Sequence, residues 1–263
     1  MKPPLVVYRA QAGVSGRNLP VVRLFVVIMT AACALLLVPH VHGAQLSAAE
    51  LIAGLGDRDL EVRQDCEARL AKMGPEVLPK LLTALNEGRR REAIIRIFNR
   101  KGCDAVPGLI RLLSDEEARP KAGSMLFQAA NPDCVKYIGP YLACMGDPKA
   151  GNYCGAALVK TSSPKARSRL PELRKSLAGG SAESRSYVIA AIGEIGKKAS
   201  PAVPELLAAL KDPAQLVRLA AAAALGKIGG RDQAARDALG AAAAGDADGE
   251  VRREAAESLK AFK

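Results

Sequence analysis

An internal repeat dominates the sequence. Asp57-Arg-Asp-Leu-Glu-Val62-Arg63, Asp212-Pro-Ala-Gln-Leu-Val217-Arg218 and Asp246-Ala-Asp-Gly-Glu-Val251-Arg252 all read D-x-x-x-x-V-R. A Gly stands eleven residues after the basic position in several units: Gly74, Gly102, Gly196 and Gly229 follow Arg63, Arg91, Arg185 and Arg218. Taking Arg63, Arg91, Lys121, Asn152, Arg185, Arg218 and Arg252 as anchors gives seven units of 28–34 residues. Self-similarity at such a period marks an array of supersecondary units, none of which can bury its apolar face alone.

Each unit reads as two helices. The first half, as in Val217-Arg-Leu-Ala-Ala-Ala-Ala-Ala-Leu225-Gly-Lys-Ile-Gly229, has apolar residues at helical spacing and ends on Gly. The Asp that opens it suits an N-cap. The second half carries Pro in its first turn, where the missing N–H matters least. Examples are Pro79, Pro107, Pro171 and Pro204. No run alternates with a strand period. Ala48–Asp57 aligns with the second half of a unit, and Val251–Lys263 with a first half. The expectation is therefore one opening helix, six pairs and a charged closing helix.

The D-x-x-x-x-V-R-x-x-A-x-x-A-L-x-x-I/M-G units around Arg63, Arg218 and Arg252 resemble HEAT repeats, most closely the short HEAT-like type first described in phycobilisome lyases. Arg185 shares the pattern without the leading Asp. The likeness spans about residues 46–263 and is weakest around Lys121 and Asn152. It implies an all-α solenoid, a right-handed superhelix of antiparallel helix pairs. It also implies ladders through Asp57, Arg63, Arg91, Arg185, Asp212, Arg218, Asp246 and Arg252 that tie neighbouring repeats. Binding of other proteins is the activity it implies.

The first 44 residues stand apart. Lys2, Arg9, Arg17 and Arg23 precede the uncharged run Leu24–Val38, and small residues follow, with Val41 and Gly43 placed for cleavage before Ala44. This is the layout of a secretory signal peptide. Fifteen apolar residues fall short of the roughly 20 that a spanning helix prefers. Retention of residues 24–38 as a membrane anchor is the alternative. The expected organisation is thus 1–44 leader and 45–263 solenoid, in a periplasmic or extracellular location.

Export changes the charge and the chemistry. The whole chain carries 38 Lys+Arg and 27 Asp+Glu, a formal charge of +11. Loss of the leader leaves 34 basic residues and a charge of +7. His40 and His42, the two histidines of the chain, leave with it. A His-based triad or metal site is then excluded. No phosphate-binding Gly loop or nucleophile elbow is present. No enzyme activity and no cofactor or metal are expected. Nine aromatics and no basic block disfavour nucleic acid.

Candidate binding residues lie on second-half helices. Lys80, Arg111, Lys136, Arg174 and Lys175 would make an inner wall mildly positive, which suits an acidic protein or, alternatively, an anionic envelope polymer or membrane surface. The interspersed acids fit an ordinary solvated face equally well. Tyr137 and Tyr141 belong to the most divergent stretch, residues 131–154. Tyr141 follows the second-half proline, so it is either an interface anchor or a seam filler. In an oxidising compartment Cys144 and Cys154 are candidates for a disulfide, with Cys103 and Cys134 as the alternative pair. Cys66 aligns with Ala221 and Ala255 and is expected to be a buried thiol.

Overall fold

A computed structural model describes residues 46–85, 90–230 and 232–262. The expected leader, residues 1–44, lies outside them. The repeat array occupies Ser47–Lys263. Among the described residues there are fourteen α-helices and no strand. In chain order they are α1 (Ala48–Gly54), α2 (Leu60–Lys72), α3 (Leu78–Ala84), α4 (Arg90–Lys101), α5 (Val106–Leu112), α6 (Arg119–Ala129), α7 (Ile138–Cys144), α8 (Gly151–Thr161), α9 (Leu170–Ser176), α10 (Ala182–Ile195), α11 (Val203–Ala209), α12 (Gln215–Ile228), α13 (Gln233–Gly245) and α14 (Gly249–Leu259). Helix α1 opens the array, six pairs follow, and α14 closes it.

The pairs stack in two layers. First-half helices α2, α4, α6, α8, α10, α12 and α14 each contact the next in that order. Second-half helices form the other layer, with α1, α3, α5 and α7 in contact along one row and α11 against α13. Five second-half helices are preceded by a 3₁₀ turn, as Pro75–Val77 precedes α3 and Gly196–Ala202 precedes α11. These turns reverse the chain tightly between the two layers.

Burial follows the helical period. In α12 the buried residues are Val217, Ala221, Ala222, Ala224, Leu225 and Ile228; in α10 they are Val188, Ile189, Ala191, Ile192, Gly193 and Ile195. Small residues let these two helices approach closely. A Cβ placed on Gly193 would lie 2.9 Å from the Ala224 Cα. Larger core residues such as Leu70, Ile94, Phe98, Leu126 and Leu158 are fully buried. Each contributes roughly 1.5–3 kcal/mol by leaving water. An aliphatic core is what so few aromatics allow.

Two details of the helix ends differ from expectation. The repeat Asp is not the N-cap. Asp57, Asp212 and Asp246 accept from the N–H two residues on, at 2.8, 2.9 and 2.9 Å, and so fold the turn before the helix. The capping positions are Asp59, Ala214 and Asp248. The glycines also divide. Gly102, Gly196 and Gly229 adopt positive φ of 47, 67 and 56°, a backbone that glycine takes readily and other residues rarely do. Gly74 is extended instead, at φ −68°. Pro75 follows it, and a residue before proline is pushed out of the helical region into extended backbone.

Candidate protein-binding face and the arginine ladder

The second-half helices present a repeated exposed edge. Pro79, Pro107, Pro140, Pro171 and Pro204 are all exposed. Lys80 on α3, Arg111 on α5 and Lys175 on α9 are exposed beside them. Arg111 and Lys175 occupy the same position, four residues after the proline, but α7 separates their helices and places half-buried Cys144 there. The edge is less positive than a count of cations implies. Arg174 on α9 pairs with Glu205 on α11, and Arg169 with Glu172. Lys136 lies 3.7 Å from Asp104 and over the half-buried Tyr137 ring, 5.0 Å from its centroid.

Tyr141 is not on this edge. Its side chain is fully buried in α7, so the interface-anchor expectation is overturned in favour of seam filling. Position 141 points into the stack because the residue after the second-half proline turns inward in the middle repeats. Gly108, its counterpart on α5, is buried against Leu78. Burial pushes the Tyr141 phenol up to about 12. Its hydroxyl and the Thr161 hydroxyl are buried without a hydrogen bond of good geometry. Two further tyrosines, Tyr153 and Tyr187, follow a rule invisible in composition. Tyr153 packs on Gly123 and Tyr187 on Gly155, each ring filling the space a Cβ would take on the preceding repeat.

Both cysteine pairs are joined. Cys103–Cys134 links the 3₁₀ turns before α5 and α7, with Cα atoms 5.1 Å apart, and so staples consecutive repeats. Cys144–Cys154 links the end of α7 to α8 across ten residues, with Cα atoms 6.0 Å apart. Cys66 is free and buried, and burial pushes its thiol up.

The ladder is real but shorter than the repeat pattern implies. Arg185 donates to both carboxylate oxygens of Asp212, at 3.1 and 3.0 Å. Arg218 does the same to Asp246, at 2.9 and 3.0 Å. Each guanidinium also holds its own loop. Arg218 donates to the carbonyls of Asp212 and Pro213, and Arg252 to those of Asp246 and Ala247. The Asp246 and Arg218 side chains are only 8% and 15% exposed. The Arg218 hydrogen bonds hold the Asp246 carboxyl below its ordinary value. Burial opposes ionisation of Asp212, yet the Arg185 bonds outweigh it and lower that carboxyl too. In the first repeat Arg63 holds only its own loop, through the Asp57 and Arg58 carbonyls.

Three anchors shift along the chain. Arg91 is exposed, and Arg90 takes the ladder register: its Nε lies 3.3 Å from where a Gly56 Cβ would be. The burial pattern agrees, because Ala93, Ile94 and Ile97 sit three, four and seven residues after Arg90, as Cys66, Glu67 and Leu70 do after Arg63. In the third unit the anchor is Arg119, which donates to the Leu113 carbonyl at 2.8 Å. In the fourth it is Gly151, three residues before buried Cys154. Gly102 stands twelve, not eleven, residues after Arg90, and no Gly stands eleven residues after Arg119 or Gly151 to mark the register.

Other ties carry no repeat signature. Glu67 is buried on α2 and pairs with Arg96 and Arg100 of α4. Lys101 donates to the Ala71 and Met73 carbonyls, and Lys160 to the Phe127 carbonyl, satisfying helix ends of the preceding repeat. Burial lowers the Lys101 ammonium. Among the described residues no group of His, Cys, Asp and Glu is arranged to hold a metal ion.

Residues 170–260 match the family of HEAT repeats, about a third of the chain. This segment contains both carboxylate rungs. No curated protein matches the chain. Among solved structures, a designed armadillo repeat protein is 21% identical, covers 82% of this chain and 100% of its own, and gives a TM-score of 0.44. The CpcE–CpcF complex of phycocyanin lyase from Nostoc sp. PCC7120 is 18% identical, with coverages of 86% and 98% and a TM-score of 0.31. Human deoxyhypusine hydroxylase in complex with glycerol is 20% identical, with coverages of 82% and 95% and a TM-score of 0.35. Overlaps this loose carry no functional argument.

Proposed function

We propose that this HEAT-type solenoid is an exported, non-catalytic scaffold that binds another protein along the exposed edge of its second-half helices. The observation that carries the reading is the repetition of that edge. Five exposed prolines, one on each of α3, α5, α7, α9 and α11, stand in equivalent positions with Lys80, Arg111 and Lys175 beside them. Prolines present a rigid apolar surface with no N–H to satisfy. A row of this kind suits an extended or helical partner segment better than a small molecule.

Export rests on the basic start, the apolar run Leu24–Val38 and the small residues after it. Two joined cysteine pairs suit an oxidising compartment. The non-catalytic reading rests on the placement of both histidines, His40 and His42, in the expected leader.

A second reading, binding to an anionic envelope polymer or membrane surface, is favoured by the basic surplus of +7. Salt separates the two. Raising salt from ~0.1 to ~0.5 M shortens electrostatic range about twofold. A protein partner from the envelope fraction stays bound under the scaffold reading. Loss of all bound material over that range sinks it in favour of the charged surface.

A further inference from the structure

The column of anchor arginines is interrupted once inside the array, at Gly151, and the interruption leaves a hole. At the junction of the fourth and fifth repeats both partners of a rung are glycine. Gly151 stands where Arg185 and Arg218 stand in the next two repeats, and Gly179 stands where Asp212 and Asp246 supply the carboxylate. A cavity of about 350 Å³ opens between these two loops.

Its walls correspond to the surroundings of a guanidinium one and two repeats further on. Arg218 donates to the Asp212 and Pro213 carbonyls of its own loop. The counterparts six and five residues before Gly151 are Met145 and Gly146, and both line the cavity. The Met145 carbonyl faces this space closely enough that a Cβ on Gly151 would be 2.8 Å from it. Ser184 of the next repeat donates to that same carbonyl at 3.2 Å, a weak substitute for the missing cation. The Gly180 carbonyl, on the opposite wall, accepts from Arg185 at 3.0 Å.

The charge of the lining fits a cation. Asp147 and Glu183 are on the wall, and no Lys or Arg is among the lining residues, in a chain whose surplus is basic. Asp147 spends one oxygen on the Lys149 and Ala150 N–H groups. Tyr187 supplies an aromatic wall, and a guanidinium stacks on aromatic rings more readily than an ammonium does.

We propose that this vacated rung receives the guanidinium of an arginine side chain presented by a partner protein. The proposal rests on the protein-binding reading and specifies the partner's chemistry. It adds to the exposed edge a single directional pocket, which fixes where along the array a partner segment registers.

The test is a titration of the purified protein, followed through backbone amide NMR signals, with acetyl-Gly-Arg-Gly-amide. The lysine and citrulline analogues serve as comparisons. Saturable shifts are expected at Gly146, Gly151, Gly180 and Ser181, with a Kd on the order of 1 mM for one side chain. The lysine peptide should bind at least about threefold more weakly, and the uncharged citrulline peptide should not saturate. Asp147→Asn with Glu183→Gln keeps the turn and should weaken binding about fivefold. Gly179→Asp restores the missing carboxylate at a site with nothing within 4 Å of a new Cβ and should strengthen it severalfold. Equal shifts from the citrulline peptide, or none from the arginine peptide, overturn the proposal. No partner is needed for this titration, so its failure is distinct from a failure of the scaffold reading.

Discussion

Arg218 illustrates what a single residue contributes to this array. Its guanidinium satisfies two carbonyls of its own loop and both oxygens of Asp246 in the next repeat. Arg218→Ala removes all four bonds and leaves a mostly buried carboxylate, which should cost about 2–4 kcal/mol in urea unfolding. The pair also sets an acid dependence. The Asp246 carboxyl is depressed in the folded state, so its contribution is complete above the unfolded value near 3.8 and fades as pH falls through the depressed one. Asp246→Asn should therefore flatten the loss of stability below about pH 4. Unchanged acid unfolding in that variant would contradict the rung. Tyr141 is the opposite case, a residue whose role is packing. Tyr141→Ala should cost about 3–5 kcal/mol. Tyr141→Phe should stay within about 1 kcal/mol, because the hydroxyl it loses has no well-formed partner. Thermal melts of the two variants distinguish this from an interface role.

At the scale of elements, the strong repeats were legible and the middle ones were not. The first-half helices at Arg63 and Arg218 announce themselves through D-x-x-x-x-V-R and a terminal Gly, that at Arg185 through the Gly and that at Arg252 through the motif, and prolines place five of the second-half helices. The anchors Arg119 and Gly151 were hidden, because a change of one or two residues in loop or helix length moves the side chain that faces the loop. Glu67 was hidden for another reason. A buried carboxylate in a position filled elsewhere by Gly, Ala or Ile reveals its partners only once α2 and α4 are side by side. Where the repeat signal weakens, covalent links appear: Cys103–Cys134 joins the second unit to the third and Cys144–Cys154 the third to the fourth, at junctions that lack a carboxylate rung. Closing loops of these lengths stabilises by roughly 2–4 kcal/mol each. Mass spectrometry without reduction should find two bridges and one free thiol, Cys66. Replacing all four bridged cysteines by Ser should lower the melting temperature by several degrees. Five free thiols in the unreduced protein would refute both links.

On the scale of the whole molecule, stability is a sum of repeat terms and junction terms. The junctions are unequal. Paired carboxylate rungs tie α10, α12 and α14, disulfides tie the centre, and Glu67 with its two arginines ties the first pairs. The result is a stack that displays the same edge five times and a vacated rung once. Crosslinking mass spectrometry in the native organism, with an amine-reactive reagent, tests the scaffold account most directly. The account predicts crosslinks to one defined exported protein that start from Lys80 and Lys175 on the second-half edge. Peptides from the mature chain should begin near Ala44. Crosslinks scattered over Lys197, Lys198, Lys211 and other exposed lysines with no recurrent partner would contradict it.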